Sequence, residues 1–427
     1  MTAAALALGL DVGTSGVRAA ALTTDGALAG LGSAAMAENE TARRDPAVWL
    51  AALRDALADL GRQVDLDRVA ALSVDATSGT VLAVDAEGTP RAPALMYNDR
   101  VADPKIAETI AAAAPRDSAA HGPASGLARA LALQETPGIA RLLHQADWIA
   151  GQFSGRFDVS DESNALKTGY DPVARTWPAW LDATPLRRAL LPEVHPAGAV
   201  TGRVTAAAAR RYGLPEGAAV VAGVTDGCAS FLATGAATPG DGVTALGTTL
   251  TVKLLSDTPI FAPAYGIYSH RIGDTWLAGG ASNSGGGALA AQVDAEAIAR
   301  LSARIDPERD SGLDYYPLPR AGERFPIADP TLAPRVTPRP DDDAVFLHGL
   351  LEGIARIEAL GYRRLAELGA PPLTRLRTVG GGAGNATWTR LRARILGVPL
   401  ATAASEAAAA GVARLALPHL DGSHLDG

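Results

Sequence analysis

The chain is poor in cysteine, in positive charge and in long apolar runs, and each shortage narrows what it does. Cys228 is the one cysteine among 427 residues. It rules out a disulfide framework within the chain and fits a reducing, cytoplasmic setting. Cys228 itself reads as a small buried hydrophobe rather than a nucleophile. Apolar runs stop well short of the roughly 18 residues that a membrane span needs, so no membrane partner is expected. The start, MTAAALALGLD, looks leader-like, yet it carries no Lys or Arg, and Asp11 and Gly13 interrupt it early. Lys and Arg total 38 against 46 Asp and Glu, a net charge of −8. With no basic cluster, that balance argues against nucleic acid. The seven histidines are scattered without zinc spacing. Neither a phosphate loop ending in Gly-Lys-Ser/Thr nor a dinucleotide-type glycine fingerprint follows any strand.

What is present describes a globular protein too long for one ordinary core. Two domains are predicted, 1–232 and 233–427, with the last helix packing back on the first. The chain is organised around Leu8–Leu22, which reads as apolar run, tight Gly-Thr-Ser turn, apolar run. Such a turn aims backbone N–H groups and two hydroxyls at one spot and suits an anion. Asp11 does not belong beside a phosphate unless a cation lies between them, and Mg²⁺ is the natural one. An ordinary hairpin with a polar tip is the alternative.

Downstream, Asp45-Pro46 opens a predicted amphipathic helix over 46–60. Val69–Asp75 reads as a buried strand ending in the polar loop Ala76–Thr80, with Val81–Val84 the next strand. Tyr97–Arg100 reads as a surface charge pair or a polar-ligand contact. Residues 102–150 are mostly helical in pattern, and Phe157–Ala165 is a dense polar loop suited to a polyhydroxy ligand. Ala218–Val224 is an apolar strand running into Asp226, which is either a plain N-cap or a catalytic carboxylate at a strand end. A helix N-terminus there would favour its ionised form, as a weak base for an alcohol requires.

Asp241–Leu255 repeats the opening design around Gly247, Thr248 and Thr249. Two similar halves of this kind imply a duplicated fold with a nucleotide between them. Gly279–Gly287 is a glycine cluster before a helix, where the backbone can approach a ligand closely. The proline-rich 315–343 reads as an ordered wrapping loop, and 344–368 as a long helix. Leu376–Asn385 is strand, glycine turn, then helix, with Trp388 one turn in; the glycines would let adenine and ribose lie on the backbone. The tail after Pro418 reads as exposed.

Taken in order, these pieces resemble the FGGY carbohydrate kinases, within the actin-like, sugar-kinase and heat-shock ATPase superfamily. The resemblance rests on GLDVGTSG at 9–16, SDESNA at 160–165, AGVTDG at 222–227, ALGTT at 245–249 and GGGAGN at 380–385. Within the family, DATSGTVL at 75–82, NALKTGYDP at 164–172, GGASNSGG at 279–286 and the stretch 311–330 resemble the short D-ribulose kinases of cyanobacteria and plant chloroplasts.

The resemblance implies an α/β fold of two ribonuclease-H-like domains with an interdomain cleft, ATP on the C-terminal domain and the sugar on the N-terminal one. It implies Asp226 as catalytic base and Asp11 as the carboxylate associated with Mg²⁺ through water. Thr14, Ser15 and Gly16 form one phosphate turn, and Gly247 with Thr248 the other. Gly381, Gly382, Asn385 and Trp388 form the adenosine pocket, and Ser78, with Asp11, Ser15 and Asp226, meets the sugar. The chain departs from the family at Gly227, where relatives often carry Ser, and in the Lys-x-x-Trp segment, reduced here to Arg129. The activity implied is phosphorylation of D-ribulose to D-ribulose 5-phosphate. Alternatives are a kinase for D-xylulose, L-ribulose or a polyol, and a nucleotide- and sugar-binding sensor without turnover. The partner expected is a small sugar, and oligomeric state stays open.

Overall fold

The computed structural model describes residues 4–36 and 39–420. The leader-like reading of the start and the tail expectation fall in part on 1–3 and 421–427, outside the described residues. Within the described part of the tail, Leu420 is buried rather than exposed. The chain divides into two compact units. The first comprises 1–235, 270–273 and 407–427; the second comprises 236–269 and 274–406.

In the first unit, β1 (Leu6–Val12) and β2 (Gly16–Leu22) form the predicted antiparallel hairpin, closed by Gly13 N–H donating to Gly16 O at 3.0 Å. Four more strands complete the sheet: β3 (Leu28–Ala35), β4 (Val69–Ala76), β5 (Val200–Arg203) and β6 (Ala219–Thr225). The order is β3-β2-β1-β4-β6-β5. The pairs β1/β4 and β4/β6 are parallel. Both strands of each pair are apolar along nearly their whole length, as burial on two faces requires. The helix Pro46–Gly61 starts where Asp45 accepts the Ala47 N–H, and it buries Trp49, Leu53, Leu57 and Leu60 against the sheet. Each such side chain contributes about 1.5–3 kcal/mol on burial.

The second unit repeats the plan. Its strands are β7 (Asp241–Leu246), β8 (Leu250–Ser256), β9 (Thr275–Ser282), β10 (Arg375–Val379) and β11 (Leu400–Ala401). They run β9-β8-β7-β10-β11, antiparallel through β7 and parallel beyond it. The internal echo in the sequence is therefore an echo in topology: β3-β2-β1-β4-β6 and β9-β8-β7-β10-β11 share one order and one set of strand directions. The long helix Asp343–Glu367 and the helix Ala386–Leu396 pack on this sheet.

The chain then returns to the first unit as the helix Ala408–Ala413, which lies against β1 and the helix Asp226–Ala233. Glycine permits both contacts. A Cβ at Gly9 would stand 1.9 Å from Ala409 O, and one at Gly411 would stand 1.8 Å from Ala229 O. One short helix thus fixes the strand that ends in Asp11 against the helix that starts with Asp226.

Two local expectations change. The 102–150 region contains the strand Arg141–His144, paired with Val81–Val84, as well as helices. Residues Glu162–Ala165, read as loop, form one helical turn with all four residues buried, because Asp161 accepts the Ser163 and Asn164 N–H groups.

His144, fully enclosed where that strand meets the next helix, has its ring Nε2 2.9 Å from Thr168 Oγ1. Burial, with the charges of Arg129 and Lys167, holds its pKa down at about 3 from 6.5. The unfolded chain takes up this proton below about pH 6.5, and the folded one only near pH 3. The stability His144 contributes is therefore complete above about pH 6.5 and is lost as pH falls. Buried Asp75 and Asp147, with raised pKa values, act with the opposite sign, so the test is a difference between proteins. In urea unfolding, wild type should lose about 1.4 kcal/mol per pH unit relative to His144→Gln between about pH 6.5 and 4.5. Parallel stability curves for the two proteins would contradict it.

Candidate active site

Both sheets present polar turns at the carboxyl ends of their parallel strands, where ligands bind in open α/β sheets. In the first unit this end is acidic. Asp11 on β1 lies in register with Asp75 on β4, and Val224 on β6 lies in register with Asp75. Residues in register on neighbouring strands share a face. Asp226 follows two residues after Val224, once the ladder has ended at Thr225. The bulge in β6 before Val224 depends on Gly223, where a Cβ would stand 1.9 Å from Val74 O.

The three carboxyls differ in environment. Asp75 is fully buried. Burial, and then the charges of Asp11 and Asp226, push its pKa well above the carboxylate range. That favours the protonated form, and its two oxygens have no hydrogen-bond partner among the described residues. Burial also raises Asp11, opposed by Arg18, whose Nη1 donates to Asp11 Oδ2 at 3.2 Å. Asp226 is half-buried, so a solute can reach it. It is not the N-cap: Thr225 holds that position, and Asp226 is the first helical residue. Its Oδ1 accepts the Gly227 N–H at 2.7 Å, and its carbonyl accepts from Ser230 Oγ at 2.9 Å.

Thr14 is half-buried and Ser15 exposed at the tip of the β1–β2 turn. Gly16 is needed for strand pairing, since a Cβ there would stand 2.5 Å from Ala34 O. Ser78 lies in the loop after β4, and its Oγ is buried without a hydrogen-bond partner among the described residues. Arg129 holds that loop. Its guanidinium, 1% exposed, donates to Gly79 O at 2.8 Å, Ala124 O at 2.7 Å, Asp99 O at 3.0 and 3.2 Å, and also to Tyr97 O. Asp99 meanwhile makes a bidentate pair with Arg44, not with its neighbour Arg100. The Tyr97–Arg100 segment is thus tied to the protein interior on both sides.

In the second unit, Gly247 and Thr248 are exposed at the β7–β8 turn. The glycine cluster Gly285–Gly287 serves this turn directly: Gly286 N–H donates to Gly247 O at 2.8 Å and Gly287 N–H to Thr248 O at 2.9 Å. Glu323, from the proline-rich stretch, braces the same corner. It accepts from Ser282 Oγ at 2.6 Å and from Asn283 N–H at 2.8 Å. The Gly380–Gly384 turn sits at the same sheet end, because β7 and β10 are parallel and in register up to Ala245 and Val379. Asn385 caps the following helix, accepting the Trp388 N–H at 3.0 Å and donating to Ser302 Oγ at 2.9 Å. Trp388 is a core residue, 3% exposed, its Nε1 donating to Leu351 O at 3.1 Å. Its ring lies beneath Gly382, where a Cβ would stand 2.8 Å from it.

These residues fit the groups expected of them. Gly381 and Gly384 have no heavy atom within 4 Å of where a Cβ would stand, and Gly247 has only Thr249 O at 3.7 Å. That open backbone leaves room for a nucleotide. Asp11 offers a carboxylate of the kind Mg²⁺ takes alongside water and phosphate oxygens.

Asp75, Arg18 and Glu323 were not singled out in the sequence. Asp75 had a signal: it closes the apolar strand LSVD as Asp11 closes LGLD.

The FGGY family of carbohydrate kinases supplies two matching models, its N-terminal domain over 6–118 and its C-terminal domain over 242–418. A xylulose kinase of Escherichia coli (strain K12) is 27% identical, over 96% of this chain and 89% of that enzyme. An autoinducer-2 kinase of Enterobacter sp. (strain 638) is 47% identical over 83 residues, which is 19% of this chain and 16% of that protein. Among solved structures, a xylulose kinase from Rhodospirillum rubrum aligns with TM-score 0.81 at 23% identity, covering 99% of this chain and 91% of that one. Plasmodium falciparum glycerol kinase with ADP aligns with TM-score 0.80 at 15% identity, covering 98% and 91%. Both share the fold. With both domain models matched in order along more than half its length, the chain belongs to the FGGY family of carbohydrate kinases.

Proposed function

We propose that the chain is an ATP-dependent kinase of a ketopentose, with D-ribulose the foremost acceptor, acting in the cytoplasm. The observation that carries the reading is Asp226, a reachable carboxylate at the end of a parallel strand, beside the buried Asp11 and Asp75. When bound, ATP with Mg²⁺ supplies the phosphoryl group and screens its charge. The first unit takes the sugar and the second the nucleotide. Asp226 orients a terminal hydroxyl and accepts its proton as the new bond forms. Ser78 Oγ and Ser15 hold further hydroxyls. Asp11 would hold Mg²⁺ through water. Thr14, Ser15, Gly16, Gly247 and Thr248 would contact phosphates, and Gly381, Gly382 and Asn385 the adenosine, over the floor that Trp388 forms. Phosphoryl transfer has a loose transition state, so positioning is most of what the protein contributes.

D-ribulose is favoured by DATSGTVL, NALKTGYDP and GGASNSGG, the stretches in which this chain resembles D-ribulose kinases. D-xylulose is the second reading, favoured by the similarity to the E. coli xylulose kinase along nearly the whole chain.

ADP release should be measured with ATP and Mg²⁺ across D-ribulose, D-xylulose, L-ribulose, ribitol and glycerol, against a sugar-free blank. The strongest rate is expected on D-ribulose; a strong rate on D-xylulose alone moves the assignment to the second reading. Asp226→Ala should lower turnover by at least about a hundredfold while ATP binding persists. Near-normal turnover in that variant would remove Asp226 from the base role.

Arg129→Met should raise the sugar KM about tenfold and leave the ATP KM unchanged, because it releases the loop that carries Ser78 from its ties to Tyr97, Asp99 and Ala124. An unaltered sugar KM in a folded variant would separate Arg129 from the sugar site.

A further inference from the structure

Four polar side chains that the proposed chemistry does not use, Ser163, Thr225, His270 and Lys167, meet at the residue before Asp226. Ser163 is fully buried in the turn Glu162–Ala165. Its Oγ accepts the Thr225 N–H at 3.2 Å and lies 3.1 Å from Thr225 Oγ1. On the other side, Ser163 Oγ is 3.0 Å from His270 Nδ1, and His270 Nε2 is 3.5 Å from Lys167 Nζ. A lysine ammonium only donates, so His270 Nε2 accepts, Nδ1 carries the ring hydrogen, and that hydrogen is given to Ser163 Oγ. With its lone pairs engaged by His270 and the Thr225 N–H, Ser163 has Thr225 Oγ1 at 3.1 Å and Cys228 Sγ at 3.5 Å to take its own hydrogen. Thr225 Oγ1 in turn donates to Cys228 Sγ at 3.3 Å.

Resting on the proposal that Asp226 is the base, we infer that His270, acting through Ser163 and Thr225, is a positioning residue for the Asp226 carboxylate. The strand ladder cannot do this alone, because its last paired residue is Thr225. At that residue, one before Asp226, Ser163 Oγ accepts the backbone N–H and faces the side-chain hydroxyl. His270 is itself held in place: the segment 270–273 belongs to the first unit, where Arg271 Nη1 donates to Pro172 O at 3.0 Å and Arg175 Nη2 to Gly273 O at 3.4 Å. Arg175 is anchored in turn by its Nε, which donates to the buried Glu162 at 2.7 Å. The two segments 162–175 and 270–273 thus form one brace with Ser163 at its inner end. Substitution of any member shifts the base without removing it, a loss that falls on kcat rather than on ground-state binding.

The test uses the full chain, with ADP formation measured on D-ribulose and on D-xylulose. Ser163→Ala and His270→Ala should each lower kcat about five- to tenfold, with the KM for ATP and sugar changed less than about twofold. His270→Asn, which keeps an N–H donor near the Nδ1 position, should recover most of the loss. The double variant Ser163→Ala/His270→Ala should be no slower than the slower single one, because both break the same chain of bonds. Should His270→Ala fail to fold, Ser163→Ala and His270→Asn carry the comparison. If both alanine variants keep kcat within about twofold of wild type while Asp226→Asn is inactive, the inference is overturned and the base assignment stands. Independent, multiplying losses in the double variant overturn it equally. An active Asp226→Asn, or no rate from wild type on either sugar, overturns the reading on which it rests.

Discussion

The parallel register of β1, β4 and β6 is the constraint on which the first unit depends. It brings Asp11 and Asp75 to one sheet end and sets Asp226 just beyond it. Three carboxyls so close cannot all be charged without mutual repulsion and loss of solvation. The protein resolves this unequally. Burial favours the protonated form of Asp75, Asp11 gains Arg18, and Asp226 stays half-buried. The outcome is one half-buried carboxylate, Asp226, and one buried carboxylate, Asp11, paired with Arg18.

Close backbone packing holds that register in place. The helix Ala408–Ala413 touches both β1 and the Asp226 helix, and glycines at both contacts remove the side chains that would keep them apart. The second unit uses the same device for a different purpose. There Gly286 and Gly287 press against the Gly247–Thr249 turn and stiffen it by backbone hydrogen bonds, while Gly381 and Gly384 leave their backbone open. Glycine therefore has two roles at this sheet end, packing in one cluster and openness in the other.

Much of this was legible in the sequence, where the signals were local. The Gly-Thr-Ser hairpin, its Gly-Thr-Thr echo, the Asp45-Pro46 helix start and the long helix after Asp342 all follow from short-range patterns, and the echo extends to whole-sheet topology. Features that depend on distant partners were not legible. Asp75 looked like the end of a strand because its significance lies in Asp11, on another strand. Arg129 looked like a weakened family position because its five hydrogen bonds go to backbone carbonyls of three separate loops. His270 carried no pattern of its own. Trp388, placed by the resemblance in an adenosine pocket, is a core side chain beneath Gly382 whose Nε1 donates to Leu351 O, a packing partner that its spacing from Asn385 does not reveal.

The most direct measurement of the central claim is ³¹P NMR of the full chain incubated with ATP, Mg²⁺ and D-ribulose. The account predicts a phosphomonoester signal split by the two protons of a terminal methylene, rising in step with ADP. ADP accompanied only by inorganic phosphate, with the sugar unchanged, would contradict it.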